Sequence, residues 1–256
     1  VREDGSESLG DGGSQPPRDG EGPSLVDTVA ALGWPELGRS VERRPIVGRR
    51  FGGRRFGGGG PAVLILGGIH GDEPASVEAV LELVNRLAAI PSPGPTWVIP
   101  MANPDGIVRN RKNSARDVDL NRNFPARSFA SAHPPGYSPG PAPLSEPESQ
   151  VIAELVAREG IRGAVAVHAP LACVNYDGPA AAWAEAVAVA CGWPARGHIG
   201  YPTPGSFGSW LGVDRGLPVL TLELPPGPLS GFRTAAAAAL DAALRQFPED
   251  AEPLDK

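Results

Sequence analysis

Short apolar runs alternate with stretches of helical periodicity along this chain, and that alternation restricts it to an α/β fold. Residues 62–66, Ala-Val-Leu-Ile-Leu, form a continuous apolar run of strand length, the pattern of a strand covered on both faces. Pro74 suits a first helical position. Val77, Val80, Leu81, Val84, Leu87 and Ala88 then recur at helical spacing. The same reading predicts strands over 97–100, 164–168 and 219–224, and helices over 148–158, 180–191 and 234–247. Strands separated by helices run in one direction within a sheet. The expected architecture is a single α/β domain with a mixed, mostly parallel central sheet flanked by helices. Its 256 residues suit one such domain.

The flanks read differently. Residues 1–22 are Gly, Ser, Pro and acid, with six acids against two arginines, too little apolar surface for a core. They are expected to be a disordered tail, with the catalytic domain over 23–249 and a C-terminal tail over 250–256. A short helix is expected around 26–32, and a strand or hairpin within 39–60. The basic residues form no long stripe, so a nucleic-acid partner is not expected. Two cysteines, Cys173 and Cys191, make no disulfide framework. No run of eighteen apolar residues and no signal-peptide core is present. A cytoplasmic protein with no membrane partner is therefore expected, although the chain begins at Val1 and an upstream segment stays open.

The chemistry gathers where apolar runs end. His70 and Glu73 follow the first run in Gly67-Gly68-Ile69-His70-Gly71-Asp72-Glu73. Three positions on a tight turn let an imidazole and a carboxylate meet on one ion. A hydrolytic zinc site needs such a pair, a third ligand and one open position. His168 ends residues 164–168 and is the candidate third ligand, since ligands of such sheets sit at the carboxyl ends of strands. His133 and His198 lie in loops and look less like ligands. Glu223 stands between Leu222 and Leu224; it is either a solvent-facing strand residue or an acid kept in an apolar strand for function. The stretch from Asn103 to Ser145 has no sustained periodicity, and loops of that length are usually functional or disordered.

Taken in order, His70-Gly71-Asp72-Glu73, Asn103-Pro104-Asp105-Gly106, Asp119-Leu120-Asn121-Arg122-Asn123-Phe124, His168 and Thr221-Leu222-Glu223-Leu224 resemble the M14 zinc metallocarboxypeptidases. The resemblance spans about residues 38–225. Within that family, residues 168–173 and 201–206 are similar to the murein peptide amidases, which cut the γ-D-glutamyl–meso-diaminopimelate bond of wall peptides.

The resemblance implies one zinc per chain, held by His70, Glu73 and His168, with Asp119 orienting His70 from behind. It implies Glu223 as general base and Arg111 as the cation facing the oxyanion, with Arg109 as an adjacent alternative. Asn121 and Arg122 would bind the substrate carboxylate, and Tyr201 would cap the substrate. Gly208 falls where the family sets side-chain specificity, and it supplies no charge. Asp117 stands where the family commonly has Gly. The implied function is zinc-dependent hydrolysis of murein tripeptide in peptidoglycan recycling. The alternatives are a zinc carboxypeptidase of other specificity, an N-acyl amino acid deacylase, and a non-catalytic murein-peptide binder. Oligomeric state stays open.

Overall fold

In the computed structural model, residues 23–52 and 62–248 are described. The tails expected at 1–22 and 250–256 fall outside them. The elements run in chain order: α1 (Leu25–Ala30), β1 (Glu36–Arg39), β2 (Pro45–Val47), β3 (Arg49–Phe51), β4 (Ala62–Leu66), α2 (Pro74–Ala89), β5 (Thr96–Ile99), α3 (Pro104–Arg109), α4 (Pro147–Arg158), β6 (Ile161–His168), β7 (Cys173–Asp177), α5 (Ala181–Cys191), β8 (Ala195–Arg196), β9 (Val219–Glu223) and α6 (Arg233–Arg245). A 3-10 turn over Leu120–Arg122 and a π-helix over Gly208–Asp214 complete the site region.

The central sheet has strand order β3-β5-β4-β6-β9-β7-β8, and β1 and β2 pair separately. β5, β4, β6 and β9 are parallel to their neighbours in that block. β3 and β7 pair antiparallel to β5 and β9, so the sheet is mixed with a parallel centre, as the pattern of elements predicts. The strand at β7 was not expected. It alternates Val174 and Tyr176, which meet the core, with Cys173, Asn175 and Asp177. Asn and Asp are depleted in strands, and they hide a period of two that is nevertheless present.

Alternation sends side chains to two covered faces. On one, Val63, Ile65, Val165, Val167, Leu220 and Leu222 pack with α2, α5 and α6. On the other, Leu64, Leu66, Ala164 and Ala166 pack with α4 and with Phe124, Phe207 and Trp210. Phe124 stacks on Trp210 at a centroid distance of 5.5 Å. The second face also carries His168, Thr221, Glu223, Asn175 and Asp177 by strand parity. Apolar cover therefore gives way to polar residues on one face only, at the carboxyl ends of the parallel strands.

The long segment from Asn103 to Ser145 is ordered by side-chain amides in place of a ladder. Asn123 is buried; its amide nitrogen donates to Pro139 O, Ala142 O and Ser145 Oγ, and its oxygen accepts from Glu146 N. Asp117 takes φ +61°, a left-handed conformation in which Gly is favoured and Asp is tolerated. Asn113 Nδ2 donates to its carbonyl and carboxylate.

Candidate metal centre and active-site cleft

His70 hangs on the turn that joins β4 to α2. Ser76, in the first turn of α2, donates to Glu73 O at 2.6 Å and accepts from Gly68 N at 3.1 Å, which fixes the path between the two candidate ligands. Gly71 packs against the start of α3: a Cβ there would stand 2.0 Å from Gly106 C and 2.4 Å from Arg111 O. Asn103 holds the same junction, donating to Ile69 O and accepting from Gly106 N. Asp105 pins the β1–β2 hairpin instead, accepting from Ser40 Oγ, Glu42 N and Arg44 Nη1.

The three expected ligands converge. His70 Nδ1 lies 2.8 Å from Glu73 Oε1, and His168 Nδ1 lies 3.0 Å from Glu73 Oε2. Their ligand atoms all fall within 4.8 Å of one another. Donors about 2.1 Å from a tetrahedral zinc stand about 3.4 Å apart, so a small relaxation opens the cluster around an ion. Both rings present Nδ1 to one point. His70 Nε2 sits 3.1 Å from Asp119 Oδ1, which accepts a hydrogen bond from the Nε2–H and leaves Nδ1 as the atom that would donate to a metal. His168 Nε2 is buried with no partner among the described residues. Two imidazoles and one carboxylate are the donor set of a hydrolytic zinc site.

The charges agree with that reading. Burial pulls the His70 pKa down, but Asp119 and Glu73 more than offset it and carry it up to about 9. Burial pushes Glu73 up, and His168 and His70 outweigh it, holding the carboxyl at about 2. Asp119, opposed by burial, is held well below the usual carboxylate range by His70, Arg122 and Lys112. The cluster is thus built to hold positive charge between two acids.

Glu223 pairs in register with His168 and with Cys173, and it lines the same cleft. It is only 6% exposed, which removes the solvent-facing alternative. Burial raises its pKa, and the neighbouring Glu73 adds to the rise against His168. Among the described residues Leu171 N is its one weak donor, at 3.5 Å. Cys173 beside it is buried and free, and burial together with Glu223 raises its pKa.

Asn121 and Arg122 line the cleft from the 3-10 turn. Asn121 Oδ1 accepts from Phe207 N, and Arg122 Nη1 donates to Asn121 O at 2.6 Å. Tyr201 lines the cleft too and is 43% exposed. Arg111 is not among the residues that line it. That side chain is exposed, while its backbone is held against Gly106 and Gly71. Arg109 is exposed as well and pairs with Glu42. Lys112 lines the cleft in their place, with Nζ 2.7 Å from Asp119 Oδ2 and 3.5 Å from the Tyr137 ring centroid. Arg111 and Lys112 are neighbours in the chain, and of the two Lys112 lines the cleft. Spacing along the sequence carries no signal for that, and the polar alternate positions of β7 likewise hid Asn175 and Asp177, which also line the cleft.

The family model for zinc carboxypeptidases matches residues 34–182. Murein peptide amidase A of Escherichia coli K12 is 36% identical over 200 residues, covering 73% of this chain and 81% of its own. The crystal structure of the murein-tripeptide amidase of Escherichia coli O157 superposes with a TM-score of 0.67 at 29% identity, over 84% of this chain and 93% of that one. Bovine thrombin-activatable fibrinolysis inhibitor shares the fold, with a TM-score of 0.72 at 18% identity over 88% and 96% of the two chains.

Proposed function

The chain belongs to the M14 zinc carboxypeptidase family, and from that membership we propose that it hydrolyses the γ-D-glutamyl–meso-diaminopimelate amide of murein tripeptide. The observation that carries the proposal is one cleft that joins the His70–Glu73–His168 cluster to Glu223 at one side and to Asn121 and Arg122 at another. A metal triad and a buried acid suit amide hydrolysis. A guanidinium beside them suits a substrate ending in a free carboxylate.

His70, Glu73 and His168 would hold zinc, which when bound supplies a Lewis acid for the carbonyl and an acidified water. Asp119 keeps His70 in the tautomer that donates from Nδ1. Glu223 takes the proton of the attacking water and passes it to the departing amine; its raised pKa suits both transfers. Lys112 lines the cleft where Arg111 does not, so Lys112 is the residue we assign to face the oxyanion in place of Arg111. Asn121 and Arg122 hold the carboxylate of the leaving amino acid, and Tyr201 covers it. The reaction fits recycling of wall peptides, with the cytoplasm as its compartment.

A substrate panel tests this reading. Turnover of L-Ala-γ-D-Glu-meso-diaminopimelate should exceed that of α-linked C-terminal dipeptides and of N-acetyl amino acids by at least about a hundredfold in kcat/KM, a difference of about 2.7 kcal/mol. Preference for α-linked dipeptides would make the chain a general carboxypeptidase. Preference for N-acetyl amino acids would make it a deacylase. Binding without turnover by zinc-loaded protein would make it a binder.

A further inference from the structure

Tyr137 lines the cleft, and the chemistry proposed above gives it no part. Its ring meets two cations that line the cleft with it. Lys112 Nζ lies 3.5 Å from the ring centroid, and Arg122 Cζ lies 5.4 Å from it. Both distances fall within the reach of a cation–π contact.

The ring is carried on a well-tied piece of backbone. Tyr137 N donates to Pro134 O at 3.2 Å, and Gly136 takes φ +81°. Pro135 followed by a left-handed Gly136 is the residue pattern of a type II turn that closes at Tyr137. Beyond the ring, Ser138 O accepts from Asp119 N at 2.8 Å, and Pro139 O accepts from Asn123 Nδ2 at 2.7 Å. Tyr137 is therefore bound to the same segment that presents Asp119, Asn121 and Arg122.

A ring suits these cations better than a further acid would. Lys112 and Arg122 bring like charges into one cleft, and Arg122 is buried there. Asp119 already holds Lys112 at 2.7 Å. A second carboxylate would cancel the charge that the pair is to offer to an oxyanion and a substrate carboxylate. The face of a phenol ring attracts a cation and adds no opposite charge.

We propose that Tyr137 is a positioning residue whose ring face holds Lys112 and Arg122 in the cleft and leaves their charges available to the substrate. The roles of those two cations rest on the amidase reading above.

The chain has two lysines, Lys112 and Lys256, so the contact can be read without turnover. Protein labelled with 13C-lysine gives two ε-methylene signals by NMR, and Lys112→Arg removes the one from Lys112. In wild type that signal should stand upfield of free lysine, the mark of a group above an aromatic face. Tyr137→Phe should keep the shift, and Tyr137→Leu should abolish it. A Lys112 signal at the free-lysine position in wild type would overturn the proposal.

Kinetics on L-Ala-γ-D-Glu-meso-diaminopimelate test the consequence, with zinc content checking the fold of each variant. Tyr137→Leu should raise KM about tenfold and lower kcat about fivefold, and Tyr137→Phe should rescue both to within about twofold of wild type. In a Lys112→Met background, Tyr137→Leu should still raise KM through Arg122 but no longer lower kcat. Equal losses in the Phe and Leu variants, or a kcat loss that persists without Lys112, would overturn the proposal. An upfield Lys112 signal in zinc-loaded protein that leaves the tripeptide uncut would reject the amidase reading and keep Tyr137 as the residue that holds Lys112.

Discussion

Glu223 shows how one residue acquires a function from its surroundings. An acid between two leucines is ambiguous in a sequence; in the fold it is buried beside His168 and Glu73, with a pKa pushed up by that burial. Glu223→Gln keeps the shape and removes the base. It should lower kcat by about 100- to 10,000-fold while retaining one zinc per chain, checked by steady-state rates and metal analysis. Lys112→Ala should lower kcat about 100-fold, whereas Arg111→Ala should change it less than about twofold; the reverse order would restore Arg111 to the role. His168 and Glu223 were legible because one ends an apolar run and the other interrupts one, and His70 and Glu73 because they share the turn that follows such a run. Lys112 was not, because the turn that brings it inward and leaves Arg111 outside is set by backbone contacts with Gly71 and Gly106. Asp177 was hidden with its strand, whose polar alternate positions face the cleft.

At the scale of elements, the junction between the β4–α2 turn and α3 holds the metal site in register. Its closest contact is backbone on backbone at Gly71, where neither side can give way by rotating a side chain. Gly71→Ala should therefore destabilise the protein by at least about 2 kcal/mol and weaken zinc binding although no ligand has changed. Urea unfolding and chelator competition measure the two effects. Zinc affinity equal to wild type would show that the turn does not position His70. The alternation of strands and helices made this framework legible, because both faces of the parallel strands are covered. Segment 103–145 was legible only as a loop: its order comes from Asn103 and Asn123, whose amides bond backbone groups that no periodicity marks.

Across the whole molecule, stability should carry a pH signature from Glu148. This side chain is fully buried at the start of α4, with Oε1 accepting from Val41 N and Oε2 without a partner among the described residues. Burial, with Asp105 and Glu146 nearby, raises its pKa from 4.5 to about 7. The folded chain then holds a proton that the unfolded chain has released, so stability falls as pH rises from about 4.5 to about 7 and levels off above that. The interval corresponds to about 3 kcal/mol. Glu148→Gln should be close to neutral at pH 4.5 and stabilising at pH 8, read from urea unfolding at both values. A stabilisation independent of pH would contradict the assignment.

The same scale holds the function: β4, β6, β7, β9 and the 103–145 segment each deliver part of one cleft, and the proposed reaction needs all of them. The most direct measurement is mass-spectrometric detection of free diaminopimelate after zinc-loaded protein meets L-Ala-γ-D-Glu-meso-diaminopimelate, with and without chelator. The account predicts release of diaminopimelate that chelator abolishes and added zinc restores. No release from protein carrying one zinc per chain, or release that chelator leaves untouched, would contradict it.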